Sequence, residues 1–408
     1  MLTRIDRTFR ATMRKELCRA YTSPMRDETP SSTHHLADDA RAVDIAIGKA
    51  TSGLVDREMI AEIVVLCAVA REHLLVVGEP GTAKSEAVRR VATQLGGKYF
   101  EYLLGRFTEP NEIFGPVDLR RLRDGIVEVE TAGMLPEAEI AFLDEVFLGS
   151  TAILNTLLGL LNERTFRRGT TNLAVPLRVC VGAANSLPDD HTLNAFSDRF
   201  LARLFVDPVE DARLEELLEA GWAVSTDPPQ HATSTMHSVD RLAALAESVD
   251  LSAARPLIAT AIRRLRAAGI PITDRRAIRV QRLVAAAAVL DARVAAGVAD
   301  MWVLPLIAPS ADAQILARET LADLMSSSRN VNLVRSAEDL SRGIAARAER
   351  LSRAGRLLID ETGPGPHDHD TRLRIEATLR EIDAGFAHAD LPPSLGEVRL
   401  RLIDTLQS

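Results

Sequence analysis

Residues 73–85 read His-Leu-Leu-Val-Val-Gly-Glu-Pro-Gly-Thr-Ala-Lys-Ser, and this stretch constrains the fold more than any other. The apolar run 74–77, closed by Gly78, has the length and composition of a buried parallel strand. Gly78, Glu79, Pro80, Gly81, Thr82 and Ala83 then supply a turn with little bulk, and Lys84-Ser85 opens a segment of helical composition over 86–95. Strand, small-residue turn, Lys-Ser and helix in that order is the context a phosphate-binding loop requires. Successive backbone N–H groups must curl around the phosphates, which demands glycine and excludes large side chains. Lys84 then reaches the β/γ oxygens as a point charge, and the Ser85 hydroxyl is placed to ligate Mg²⁺. One position departs from the general pattern: Ala83 stands where glycine usually precedes the lysine. The plainer alternative, an ordinary strand–turn–helix corner, leaves the Lys-Ser pair unexplained.

A second apolar strand, 139–143, ends in Asp144-Glu145 about sixty residues later. A carboxylate at a strand tip can hold the Mg²⁺ shell, here Asp144, and its neighbour Glu145 can polarise an attacking water. Acidic residues entering a helix would look the same on dipole grounds alone; the upstream loop separates the two readings. A third buried strand, 177–184, ends at Asn185, a polar amide where α/β sheets bind ligands. A helix over 191–203 is expected to carry Asp198-Arg199-Phe200, followed by a strand over 204–206.

With 408 residues, 46% of them hydrophobic, the chain can bury several cores, and with only 4% aromatics these are built of Leu, Val, Ile and Ala. A net charge of −8 argues against nucleic acid as the main ligand. Cys18, Cys67 and Cys180 are too far apart for a metal or disulfide framework, which fits reduced thiols in a cytoplasmic protein. The longest apolar run, 60–70, is interrupted by Glu62 and is too short to span a bilayer, so no membrane span is expected.

Residues 1–36 read as a loosely ordered arm whose His34-His35 pair is either solvated or a metal ligand. A helical stretch over 37–71 follows, with Asp56 expected to cap a helix that covers the nucleotide. Asp124-Gly125 between apolar alternations predicts a hairpin over 117–130, and 163–178 predicts a second, with 169–172 as its turn. Arg167 and Arg168 at its approach face either solvent or a central channel. An amphipathic helix over 150–163 lies between the two hairpins. From 208 the pattern turns helical, with a Pro228-Pro229 linker and helices at about 238–249, 254–268, 274–297 and 311–325. The third of these opens Thr273-Asp274-Arg275-Arg276, and two arginines in a first turn oppose the helix dipole, which implies a purpose other than helix stability. One long helix over 336–360, a Gly-Pro loop at 363–370 and two further helices complete the chain.

Taken together, the loop at 78–85, the strand tip 143–145, Asn185, Asp198-Arg199-Phe200 and Thr273-Asp-Arg-Arg occur with AAA+-like order and spacing. With Phe114-Gly-Pro, Leu135-Pro-Glu-Ala-Glu-Ile, Ile153-Leu-Asn-Thr-Leu-Leu and Leu161-Asn-Glu-Arg, the run resembles the MoxR family of AAA+ ATPases, and most closely its regulatory ATPase variant A branch. The resemblance covers roughly 37–325 and includes the Ala-Lys-Ser ending of the loop. It implies an α/β AAA+ P-loop core, a parallel sheet between helices, over 37–207. An all-α lid over 208–330 and a helical extension over 331–408 would follow, the latter unlike the extra domain of that branch.

The resemblance also implies roles. Lys84 and Ser85 would bind ATP and Mg²⁺, Asp144 would hold the metal and Glu145 would activate water. Asn185 would sense the γ-phosphate, and Arg199 would reach the neighbouring subunit's nucleotide. Arg275 would be the lid sensor, with Arg276 the alternative. The two hairpins would be the helix-2 insert and the pre-sensor hairpin. Family members assemble as hexameric rings and commonly work with von Willebrand factor A domain proteins. Two readings of function follow: a ring in which ATP hydrolysis remodels, matures or assembles partner proteins in a chaperone-like way, or a scaffold whose assembly ATP controls. A nucleic-acid motor is a third and weaker idea, given the charge and the few aromatics.

Overall fold

The computed structural model describes residues 31–188, 190–209, 214–226, 235–341, 344–361, 369–386 and 391–407. Residues 1–30, the Pro228-Pro229 linker and residues 362–368 of the Gly-Pro loop lie outside that set.

The first described elements are α1 (Ser31–Thr51), α2 (Glu58–Ala70), β1 (Leu74–Gly78), α3 (Lys84–Leu95) and β2 (Tyr99–Leu103). Then come α4 (Pro110–Phe114), α5 (Leu119–Arg123), β3 (Ile140–Asp144), α6 (Thr151–Glu163), β4 (Thr165–Arg168), β5 (Thr171–Ala174), β6 (Val179–Ala184), α7 (His191–Ser197) and β7 (Ala202–Val206). The remainder is helical: α8 (Leu214–Thr226), α9 (Met236–Ala246), α10 (Ala254–Ala267), α11 (Asp274–Leu290), a 3₁₀ segment (Val298–Ile307), α12 (Ala311–Thr320) and α13 (Ala322–Met325). Four more follow as α14 (Val334–Ser341), α15 (Ile344–Glu361), α16 (His369–Gly385) and α17 (Pro393–Gln407).

Five strands form a parallel sheet in the order β2-β3-β6-β1-β7. Its inner strands β1, β3 and β6 are apolar on both faces because both are covered. Leu74 and Val76 enter one core with α1–α3, whereas Leu75 and Val77 enter the other with α6. The period of two therefore divides a continuous apolar run between two layers. The first core continues without a break into α9–α12 and reaches Ala337 and Leu340 of α14. Helices α15–α17 have a separate small core around Leu351, Ile375 and Leu402. This is the expected α/β core, a parallel sheet between helices, followed by a helical C-terminal part.

Several local expectations change. Helix begins at Ser31, inside the expected arm, and Leu36 is already buried. Arg57, not Asp56, stands at the N-cap of α2; Asp56 has φ +56° and belongs to the turn before it. The region 117–130 is not a hairpin: Asp118 accepts the N–H groups of Arg120 and Arg121 and starts α5, leaving a single antiparallel bridge between Val117 and Val129. None of the residues of α5 is buried, so it is the Asp118 cap, and not apolar packing, that outweighs the Asp-Gly signal.

The second hairpin forms as β4 and β5, but its turn is Gly169-Thr170, since Arg168 pairs with Thr171. Gly169 has φ +60°, and a Cβ there would lie 2.4 Å from the Val127 carbonyl oxygen of the α5 insert. Helix α7 stops at Ser197, so Asp198 and Arg199 lie in the turn that feeds β7. Helix α11 ends at Leu290, seven residues early, where Asp291 and a left-handed Ala292 turn the chain. The expected helix over 336–360 is described as α14 and α15, with 342–343 outside the described residues.

Candidate functional site

All five strands run the same way, so the ends of β1, β3 and β6 bring their following residues to one edge of the sheet. Gly78 must be glycine there: an added Cβ would lie 2.3 Å from the carbonyl oxygen of Val206 on β7. The loop then turns with Gly81 at φ +82° and Ala83 at φ +55°, and α3 starts at Lys84. The left-handed backbone at Ala83 is the physical reason the general pattern favours glycine at this position.

Lys84 is buried, and its Nζ donates to the carbonyls of Gly78 (2.7 Å) and Glu79 (2.9 Å). Its ammonium therefore lies over the centre of the loop, where a phosphate would be held. Burial lowers its pKa, while nearby Asp144 and Glu145 pull it upward. Across the crevice Asp144 accepts the N–H of Glu145 (3.0 Å), and Glu145 is itself left-handed at φ +49°. Asn185, just beyond β6, donates through Nδ2 to Glu145 Oε1. Lys84, Asp144, Glu145 and Asn185 thus form one constellation, with the half-exposed Ser85 in the first turn of α3. A basic loop faced by two carboxylates and a helical hydroxyl fits a nucleoside triphosphate with Mg²⁺: Ser85 and Asp144 would hold the ion, while Lys84 and the backbone N–H groups of residues 79 and 81–85 would hold the phosphates.

A cavity of about 460 Å³ opens beside the loop. Its walls come from Gly53–Val55, the loop itself and the segments around Pro208 and Leu217. Helix α2 does not cover this space, because Ile60–Ala70 are all buried in the core. Its lead-in does. Arg57, 4% exposed, donates through Nε to the carbonyl of Thr82 (2.7 Å) and through Nη2 to that of Asp207 (3.3 Å). Burial lowers its pKa. Sequence reasoning missed this residue; the available signal was an arginine placed immediately before a mostly apolar helix.

The two remaining sequence candidates are elsewhere. Ala202 pairs with Leu74, the first residue of β1, so the turn containing Arg199 lies at the opposite end of the strand from the loop. Phe200 in that turn meets His73 edge-on, with 6.5 Å between ring centroids. About 15 Å or more therefore separates Arg199 from its own phosphate loop, at roughly 3.3 Å per strand residue. Arg199 is half-buried, and its Nε has no hydrogen-bond partner. Arg275 lies at the same end: its Nη2 donates to Asn162 Oδ1 (2.5 Å), next to Leu161, whose carbonyl accepts from His73. Arg276, the alternative sensor, is 3% exposed, and each of its three side-chain nitrogens is already bonded to Asp198 or a backbone carbonyl, so it faces the 198–201 turn and not a phosphate.

The family model described as the MoxR domain in the MoxR-vWA-beta-propeller ternary systems matches residues 41–247. An uncharacterised protein of Methanocaldococcus jannaschii is 34% identical over 255 residues, which is 62% of this chain and 66% of that protein. Chaperone MoxR1 of Mycobacterium tuberculosis is 24% identical over 213 residues, 51% of this chain and 55% of that one. The chain thus spans less than two thirds of the length of these curated relatives. A crystal structure of a provisionally assigned ATPase from Cytophaga hutchinsonii superposes with a TM-score of 0.60 at 16% identity, covering 74% of this chain and 99% of that one.

Proposed function

The chain belongs to the MoxR family of AAA+ ATPases, and on that premise we propose that it hydrolyses ATP at a site shared between two copies, within a hexameric ring. The observation that carries the proposal is the polarity of the sheet. Lys84, Asp144, Glu145 and Asn185 gather at one end, and Arg199 with Arg275 lies at the other. A guanidinium that cannot reach its own loop has a role only at a neighbour's. There it would stabilise charge on the transferring phosphoryl group, an effect worth about 10³–10⁵ in rate where arginine fingers have been measured.

Within one copy, Lys84 and the loop amides hold the phosphates, and Ser85 and Asp144 hold Mg²⁺. Glu145 accepts a proton from the attacking water, and Asn185 orients Glu145. The cavity bounded by Gly53–Val55 takes the base and ribose. Because the site is completed across an interface, its turnover changes the fit between copies. That change is the work by which the ring remodels, matures or assembles partner proteins. The description of the matching family model supports a von Willebrand factor A domain protein and a β-propeller protein as those partners.

Glu145→Gln tests the assignment. The variant should bind ATP with Mg²⁺ as tightly as wild type and lose about 100-fold or more in turnover, the scale of a general base. Affinity capture with this ATP-held form should retain the partner. Wild-type turnover in the variant contradicts the role given to Glu145.

A further inference from the structure

Residues 198–201 are held, one after another, by two guanidinium groups of helix α11. Arg276 Nε donates to Asp198 Oδ1 at 2.7 Å. Arg279 reaches the Arg199 carbonyl with Nη1 at 3.4 Å and Nη2 at 3.5 Å. Arg276 Nη2 donates to the Phe200 carbonyl at 2.9 Å, and its Nη1 is shared between the carbonyls of Leu201 (3.2 Å) and Ile307 (2.6 Å). Arg279 is in turn fixed by Glu72, a fully buried carboxylate immediately before β1.

A buried charge is tolerated only when its hydrogen bonds are made, and Arg276 makes them all to one turn and the end of the 3₁₀ segment. The side chain of Arg199 itself is left uncommitted at Nε while its backbone is gripped on both sides. This accounts for two arginines in the first turn of α11, where they oppose the helix dipole. Arg275 reaches across to Asn162 on α6, and Arg276 points inward to the turn.

We propose that Arg276 and Arg279 are positioning residues for Arg199: they tie the finger turn to the helical part of the same copy, so that movement of α11 sets whether the neighbouring copy's ATP site is complete. The inference rests on Arg199 acting in trans, as proposed above. A clamp of this kind affects the pocket of the neighbour and leaves its own pocket intact. A misplacement of about 1 Å in a catalytic group costs on the order of 100-fold, so the effect is large without any loss of fold.

The test uses mixtures of full-length chains. Arg199→Ala chains lack a finger but have an intact pocket, and Glu145→Gln chains have a finger but no working pocket. Each is inactive alone, and mixing them should restore turnover in the Arg199→Ala pockets. Arg276→Gln, and separately Asp198→Asn, is then added to one partner at a time. Placed in the Glu145→Gln chain, which donates the finger, either change should reduce the restored rate by about tenfold or more, with KM for ATP unchanged. Placed in the Arg199→Ala chain, the same change should leave the restored rate within about twofold, which also shows that the variant folds and assembles. Equal loss in both arrangements, or no loss in either, overturns the clamp. If the parent mixture regains no turnover although both chains bind ATP, the trans role of Arg199 fails, and the clamp fails with it.

Discussion

The phosphate loop carries its cost at one residue. Ala83 is held at φ +55°, a backbone region that disfavours L-residues by roughly 1–2 kcal/mol. Ala83→Gly removes that penalty and adds back some unfolded-chain entropy, of the order of 0.5–1 kcal/mol. The variant should therefore be more stable than wild type by up to about 1 kcal/mol in urea unfolding, with ATP affinity unchanged. Destabilisation by a similar amount would mean that the left-handed turn is not what makes glycine usual here. The residues of this edge were legible in the sequence because each is tied to a strand end: Lys84 and Asn185 follow β1 and β6, and Asp144 ends β3. Arg57 was not legible, because its contact with Thr82 joins positions 25 residues apart through a backbone carbonyl that no side-chain pattern records. The choice between Arg275 and Arg276 was open for the same reason. Full burial of Arg276 and half-burial of Arg275 depend on the turn at 198–201, which the sequence places only as part of a longer helix.

At the scale of elements, Glu62 interrupts the apolar run of α2 because it serves another helix. Its carboxylate accepts the backbone N–H groups of Arg335 (3.2 Å) and Ser336 (2.7 Å) and so caps the first turn of α14. Burial is the largest influence on it and, with Asp339 nearby, raises its pKa from 4.5 to about 7 against those two hydrogen bonds. The folded state then holds this proton more tightly than the unfolded chain. The associated stability is full below pH 4.5 and is lost as pH rises through about 7. The sum is about 3 kcal/mol at most, from 1.36 kcal/mol per pKa unit. Glu62→Gln keeps an acceptor and removes the titration. The stability of wild type relative to this variant should therefore fall between pH 4.5 and pH 7.5, as measured by urea unfolding across that range; a pH-independent difference would contradict the assignment. Most of the helices were foreseen from periodicity, but this cap, and α5 with its Asp118 cap, were not. Hydrogen bonds between a carboxylate and a helix terminus override the alternation on which hairpin and long-helix readings depend.

For the whole molecule, the consequential feature is that the residues proposed as the two halves of a nucleotide site lie at opposite ends of one parallel sheet. An arrangement of that kind joins copies head to tail, by a heterologous contact that either closes into a ring or grows as a filament. The helical part as far as α14 shares one continuous core with α1–α3, and α11 reaches from that core to the Arg199 turn, so in the proposed assembly it couples both ends. The sequence conveyed the parts of this arrangement as motifs in order; their separation across the sheet depends on strand direction and pairing, which only the fold supplies. If the site is shared, turnover requires assembly while nucleotide binding requires one copy. Specific ATPase activity measured against protein concentration, with ATP binding followed in the same samples, tests this most directly. The account predicts that turnover per chain collapses on dilution below the assembly range while ATP remains bound; constant turnover per chain down to the monomer would contradict it.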